Sequence, residues 1–119
     1  MRKLIGLSLL VAGFMLATPQ VTAQNAEQQI SWNNAKAQTE FLAETAELTD
    51  NQKAMLERHL YNYQERVKAL DQNIEHFPFQ SEAEVSQRLD EEVEEVLDGG
   101  QYAVYKNKKA ELLEKRASN

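Results

Sequence analysis

Leu56, Leu60, Tyr63, Val67, Leu70, Ile74 and Phe77 recur at spacings of 4, 3, 4, 3, 4 and 3 residues. A period of 3.5 places all seven on one narrow face of an α-helix and on no single face of a strand, so the stretch must lay an apolar seam lengthwise against another helix. The sequence around it permits little else. From Ala26 to Leu113 the run of good helix formers is interrupted only at Leu48-Thr49-Asp50, at Phe77-Pro78-Phe79-Gln80-Ser81 and at Leu97-Asp98-Gly99-Gly100, and no strand signal occurs. The fold class is therefore all-α, with four helices expected over 27–47, 50–76, 82–97 and 100–116. Further stripes run along the third helix (Val85, Leu89, Val93, Val96), the fourth (Tyr102, Tyr105, Leu112) and the first (Ile30, Ala37, Phe41, Leu48). All are narrow, which predicts an elongated, hairpin-like protomer or thin bundle whose second face is completed by a partner or a second copy.

The punctuation between the helices has local causes. Pro78 lacks an amide hydrogen and forces Phe77 out of helical geometry, so the chain turns back there. Ser81-x-x-Glu84 restarts it as a capping box, in which the hydroxyl accepts from the third helical amide and the glutamate reaches back to the cap amide. Thr49-x-x-Gln52 and Asp98-x-x-Gln101 are the same device with glutamine in the returning role. A leucine precedes each of these two caps, and Leu48 and Leu97 are read as wedges that set the entry angles of the second and fourth helices. Gly99 and Gly100 fall in the first turn of the fourth, where each weakens a helix relative to alanine, so the second joint is expected to be the looser.

Residues 1–23 carry two basic residues, an apolar run of roughly 14 residues that is shorter than the ~20 of a membrane-spanning helix, and small residues before Ala23. This reads as a cleavable export signal, leaving one helical domain, 24–119, with no later membrane span and a periplasmic destination. Loss of Arg2 and Lys3 takes the 13 basic residues to 11 against 19 acidic ones, a net charge of −8. Such a surface is a poor partner for nucleic acid or anionic membranes, which bind through basic residues. The chain has no cysteine, which excludes disulfides, thiol catalysis and cysteine zinc sites.

The phrases Leu48-Thr49-Asp50-Asn51-Gln52 and Leu97-Asp98-Gly99-Gly100-Gln101 resemble the paired LTxxQ repeats of the Spy/CpxP family of small exported helical proteins, which includes zinc-resistance-associated relatives. The first matches in full. The second keeps leucine and glutamine and has aspartate in place of threonine, followed by Tyr102-Ala103-Val104-Tyr105. The resemblance implies an all-helical protomer that joins a second into an antiparallel, cradle-like homodimer. It implies an ATP-independent holdase that keeps unfolded envelope proteins on a concave helical face, or a regulator that occupies the periplasmic domain of a stress-sensing kinase. The family's chaperone presents a basic cradle, from which this acidic chain departs.

Chemistry by side chains is sparsely provided for. His59 and His76 are the two histidines, and on one helix their spacing of 17 residues separates them by about 25 Å at ~1.5 Å per residue. They cannot share a metal within one chain, and a zinc site at either lacks ligands unless a dimer supplies them. No serine stands near a histidine base, and Glu91-Glu92 and Glu94-Glu95 are more simply solubilising than an acid–base pair. No cofactor and no enzymatic activity are expected. Trp32, Met55, Tyr61 and Tyr102 lie off the seams, and such pliable or amphipathic side chains suit unspecific holding of apolar segments, making them the candidate client-binding surface. Packing at a dimer contact or under the Phe77–Phe79 turn is the simpler explanation for them.

Overall fold

A computed structural model describes residues 19–117 of the chain. The expected export signal, 1–23, lies outside the described residues as far as position 18. Four helices follow in order, α1 (Pro19–Ala43), α2 (Asp50–Asp71), α3 (Glu82–Val96) and α4 (Gly99–Leu113), and no strand occurs among the described residues. Each helix packs on the next and α4 returns to α1, while the backbones of the diagonal pairs stay apart. The apolar stripes therefore close on one another within one chain. Leu56, Leu60 and Tyr63 of α2, Val85, Leu89 and Val93 of α3, and Tyr105 and Leu112 of α4 are buried together with Leu42 and the joint residues Ala46 and Leu97.

Four helix ends depart from the expected ones: α1 begins at Pro19 where 27 is expected, α4 ends at Leu113 where 116 is expected, and α2 and α1 both stop early for local reasons. The seam of α2 was expected to run to Phe77, but the helix stops at Asp71, where Gln72 caps it by donating its amide to the carbonyls of Ala69 and Leu70. Asn73 then takes φ 51° and His76 φ 64°, a left-handed geometry that asparagine and histidine tolerate better than most side chains. The stop is thus set by Asn73, ahead of Pro78. Ile74 leaves the seam and is 48% exposed. At the end of α1, the amide of Glu44 is shared between the carbonyls of Glu40 and Phe41, and Thr45 bonds three residues back, so the last turn tightens and ends before Glu47.

The buried face of α1 is also not the one expected. Ile30 is 58% exposed and Phe41 half-buried, whereas Ser31, Asn34, Ala35, Gln38, Thr39 and Leu42 face inward. Four of these six are polar, and each finds a partner, as a buried polar group must. Ser31 Oγ donates to Glu65 Oε2 at 2.7 Å, Thr39 Oγ1 to the Ala35 carbonyl at 2.8 Å, Gln38 accepts from Gln64 Nε2 at 3.3 Å, and Asn34 Oδ1 accepts from the Ala117 amide at 2.9 Å.

The cap of α3 differs in detail. Ser81 Oγ accepts from the Glu84 amide at 3.3 Å as expected, but Glu84 Oε1 accepts from Gln80, one residue before the cap, at 2.8 Å. Serine's own amide is bypassed, so this box is open where those at Thr49 and Asp98 are closed.

Candidate binding cleft

Thr49-x-x-Gln52 and Asp98-x-x-Gln101 face each other across the bundle. In each, the glutamine Oε1 accepts from its own cap amide, at 3.0 Å from Thr49 N and 2.9 Å from Asp98 N. The two glutamines then bond reciprocally: Gln52 Nε2 donates to Gln101 Oε1 at 2.8 Å, and Gln101 Nε2 donates to Gln52 Oε1 at 3.1 Å. The remaining donor of each reaches the carbonyl just before the other motif's leucine, Val96 for Gln52 and Glu47 for Gln101. The arrangement is close to two-fold symmetric, and both side-chain amides use both donors. Leu48 and Leu97 pack on the core beside it. The six motif residues thus form one clasp between two joints. Its pairing across the bundle had no signal in the sequence beyond the repetition of the phrase.

The aromatic candidates are spread out and largely engaged. Trp32 of α1 stacks on Tyr61 of α2 with ring centroids 4.0 Å apart and planes within 7°. Tyr102 lies against Tyr105 at 5.7 Å, under the Lys106 ammonium. Met55 is 44% exposed, with its sulfur accepting from Asn51 Nδ2 at 3.9 Å. Phe79 lies within cation–π range of both Arg66 and Arg88, at 5.3 and 5.6 Å, and ties the α2–α3 connection to both helices.

A cleft of about 490 Å³ opens between α1, α2 and the end of α4. Ile30, Val67 and Leu113 form its apolar wall, Asn34 and Gln38 its polar floor, and Tyr63, Glu82, Glu114 and Arg116 its charged and hydroxyl rim. Exposed Ile30 also borders a shallower groove with Lys68, Asp71 and Gln72, which leads toward Ile74. Tyr63 OH donates to Glu82 Oε2 at 3.3 Å. Burial raises its pKa, the Glu82 carboxylate adds to the rise through charge and hydrogen bond, and nearby Arg116 opposes it. The cleft has the mixture of apolar wall and few polar groups that suits noncovalent binding.

On the α3–α4 side, Asp90 gathers Lys109 Nζ at 2.8 Å, Lys106 Nζ at 3.4 Å and Tyr105 OH at 2.8 Å. Burial pushes the Asp90 pKa up, but hydrogen bonds from Lys109 and Tyr105 and the charges of Lys109 and Lys106 outweigh it, and the net shift is downward. Burial raises the Tyr105 pKa, reinforced by the hydrogen bond to Asp90. Lys109 also donates to Ser86 Oγ, a serine–lysine pair that the sequence did not suggest. The same nitrogen lies 2.8 Å from Asp90 Oδ1, so Ser86 belongs to this hydrogen-bonded cluster between α3 and α4.

His59 Nδ1 stands 3.5 Å from Glu92 Oε1, a carboxylate shared with Arg66 at 3.3 Å, while exposed His76 lies beside Glu75. The histidines are therefore not brought together. Among the described residues no group of three or more His, Asp or Glu side chains is placed to hold a metal ion. No helix among them is long and apolar enough to cross a membrane.

Fold and cleft together define, among the described residues, a bundle of four helices with a clasped pair of joints and a mixed cleft beside α1. No family model, curated protein or solved structure matches the chain.

Proposed function

We propose that this is an exported protein that acts by noncovalent capture of polypeptide segments, a chaperone-like holdase that uses neither nucleotide nor catalysis. The observation that carries the reading is the cleft of about 490 Å³ with exposed Ile30 at its edge and an apolar wall continuing through Val67 and Leu113. An extended client segment would lay apolar side chains on that wall while its backbone met the polar floor. The resemblance of the twin LTxxQ-like phrases supports the same class, and with it a periplasmic location and a homodimer. The clasp is then architecture, and binding belongs to the faces it holds.

A second reading, that the protein is a regulatory ligand for the periplasmic domain of a sensor kinase, is favoured by a different observation. Trp32 and Tyr61 stack on each other, and Ile30, Met55 and Ile74 are exposed at separate positions, so the apolar surface is narrower than promiscuous holding requires. Light scattering of several unrelated aggregating clients with equimolar protein separates the two. Slowed aggregation of most clients supports the holdase; protection of none, with tight binding to one sensor domain, replaces it with the regulator.

A further inference from the structure

The polar floor of the cleft already holds a length of main chain. Beyond α4, Gln38 Nε2 donates to the Lys115 carbonyl at 3.2 Å, and two residues later the Ala117 amide donates to Asn34 Oδ1 at 2.9 Å. The two side chains stand four residues apart on α1, a rise of about 6 Å at ~1.5 Å per residue. Both contacts read main-chain groups, a carbonyl and the amide two residues further on. The segment runs antiparallel to α1, and the cleft continues past Ala117 along Ser31 and Ile30.

We propose that this stripe of α1 and the cleft beside it form a site for an extended, basic polypeptide segment, and that the chain's own Lys115–Ala117 occupies part of it as a built-in competitor. The proposal rests on the binding reading of the cleft and adds the ligand's chemistry and its regulation. Sequence-blind recognition follows from the two main-chain contacts, since any extended segment presents the same carbonyl and amide. The preference for basic residues follows from charge. Arg116 sits close enough to Tyr63 to act on its phenol, and Glu82 and Glu114 line the same cleft. Lys68, the other cation there, is paired with Glu65 at 2.7 Å. When the tail leaves, it takes Arg116 with it and leaves Glu82 and Glu114 to meet an incoming cation. The tail therefore scales the apparent affinity down to the fraction of time it is undocked, and two hydrogen bonds amount to about a tenfold effect.

The test uses the full chain and a synthetic peptide copying Leu113–Asn119, with a control in which the lysine and arginine are glutamate. Adding the basic peptide should speed hydrogen exchange at the Ala117 amide about tenfold and shift the side-chain amide signals of Asn34 and Gln38. The acidic control should do neither. A chain ending at Glu114 should bind the labelled basic peptide about tenfold more tightly by fluorescence anisotropy, and Gln38→Leu in that chain should remove the gain. If the Ala117 amide and the two side-chain signals stay unmoved up to millimolar peptide, the site does not exist; should the shortened chain fail to fold, this measurement on the intact protein decides alone. Slowed client aggregation without any response to peptide would retain the holdase and overturn this inference. Displacement of the tail without client protection would retain the site and overturn the holdase.

Discussion

Replacing Gln101 by glutamate separates two tasks that glutamine performs at once. As a cap, the side chain needs only an oxygen to accept from the Asp98 amide, and glutamate supplies one. As half of the clasp, it needs a nitrogen to donate to Gln52 Oε1 and to the Glu47 carbonyl, and a carboxylate would instead turn an oxygen toward both acceptors. Two lost hydrogen bonds at ~1 kcal/mol each, with a polar group left short of its donor, give a loss of about 2–3 kcal/mol. For a domain of this size that lowers Tm by about 10–20 °C. Urea denaturation and thermal melts followed by far-ultraviolet circular dichroism measure it directly. The cycle of Gln52→Ala, Gln101→Ala and the double variant sharpens the result, since both single changes remove the same two reciprocal bonds. The double should cost less than the sum by about 1–2 kcal/mol. A Gln101→Glu protein as stable as the parent to within ~0.5 kcal/mol, or a cycle additive to that margin, would refute the clasp and leave two independent helix caps.

Other expectations follow from the same geometry. A Cβ at Gly99 meets nothing within 4 Å and one at Gly100 meets only Asp98 Oδ1 at 3.6 Å, so alanine at each should stabilise by about 0.5–1 kcal/mol, read as a raised urea midpoint. Because the Asp90 pKa is lowered in the folded state, its contribution is complete above the ordinary value of 3.8 and is lost as pH falls through the lower folded value; an acid titration should show Asp90→Asn weakening the protein at pH 6 and narrowing that gap below pH 3.8. Tyr105 is shifted the other way, so the folded state holds its phenol neutral and stability should decline once pH rises above 10; Tyr105→Phe should reduce that alkaline slope in denaturation midpoints. Removing the ring beneath the single tryptophan, Tyr61→Ala, should shift Trp32 fluorescence to longer wavelength with circular dichroism unchanged.

Local chemistry accounts for what the sequence made legible. Thr49 and Asp98 cap because their oxygens meet an amide three residues away, and Val85, Leu89 and Val93 face inward because their spacing leaves no other common face. What escaped it depends on partners far along the chain. Gln52 and Gln101 are 49 residues apart, and nothing within either box demands that they meet. Hydrophobic periodicity points to the wrong face of α1 because it does not register a helix that buries Ser31, Asn34, Gln38 and Thr39 and leaves Ile30 outside. Pro78 is the stronger stop signal in the sequence, yet a left-handed asparagine at 73 ends the helix first. The cleft was hidden for a related reason: its floor is made by α1's polar stripe and its rim by the segment after α4.

That polar face gives α1 a thermal behaviour unlike the rest of the bundle. Exposing apolar surface raises heat capacity and exposing polar surface lowers it, so peeling α1 away should change heat capacity far less than opening the core of α2, α3 and α4. Its attachment is correspondingly rich in enthalpy, carried by hydrogen bonds at Ser31, Asn34 and Gln38. On cooling, the core's hydrophobic contribution fades while the hold on α1 does not. The first helix is thus a latch that loosens with heat, on a bundle whose own cohesion weakens in the cold.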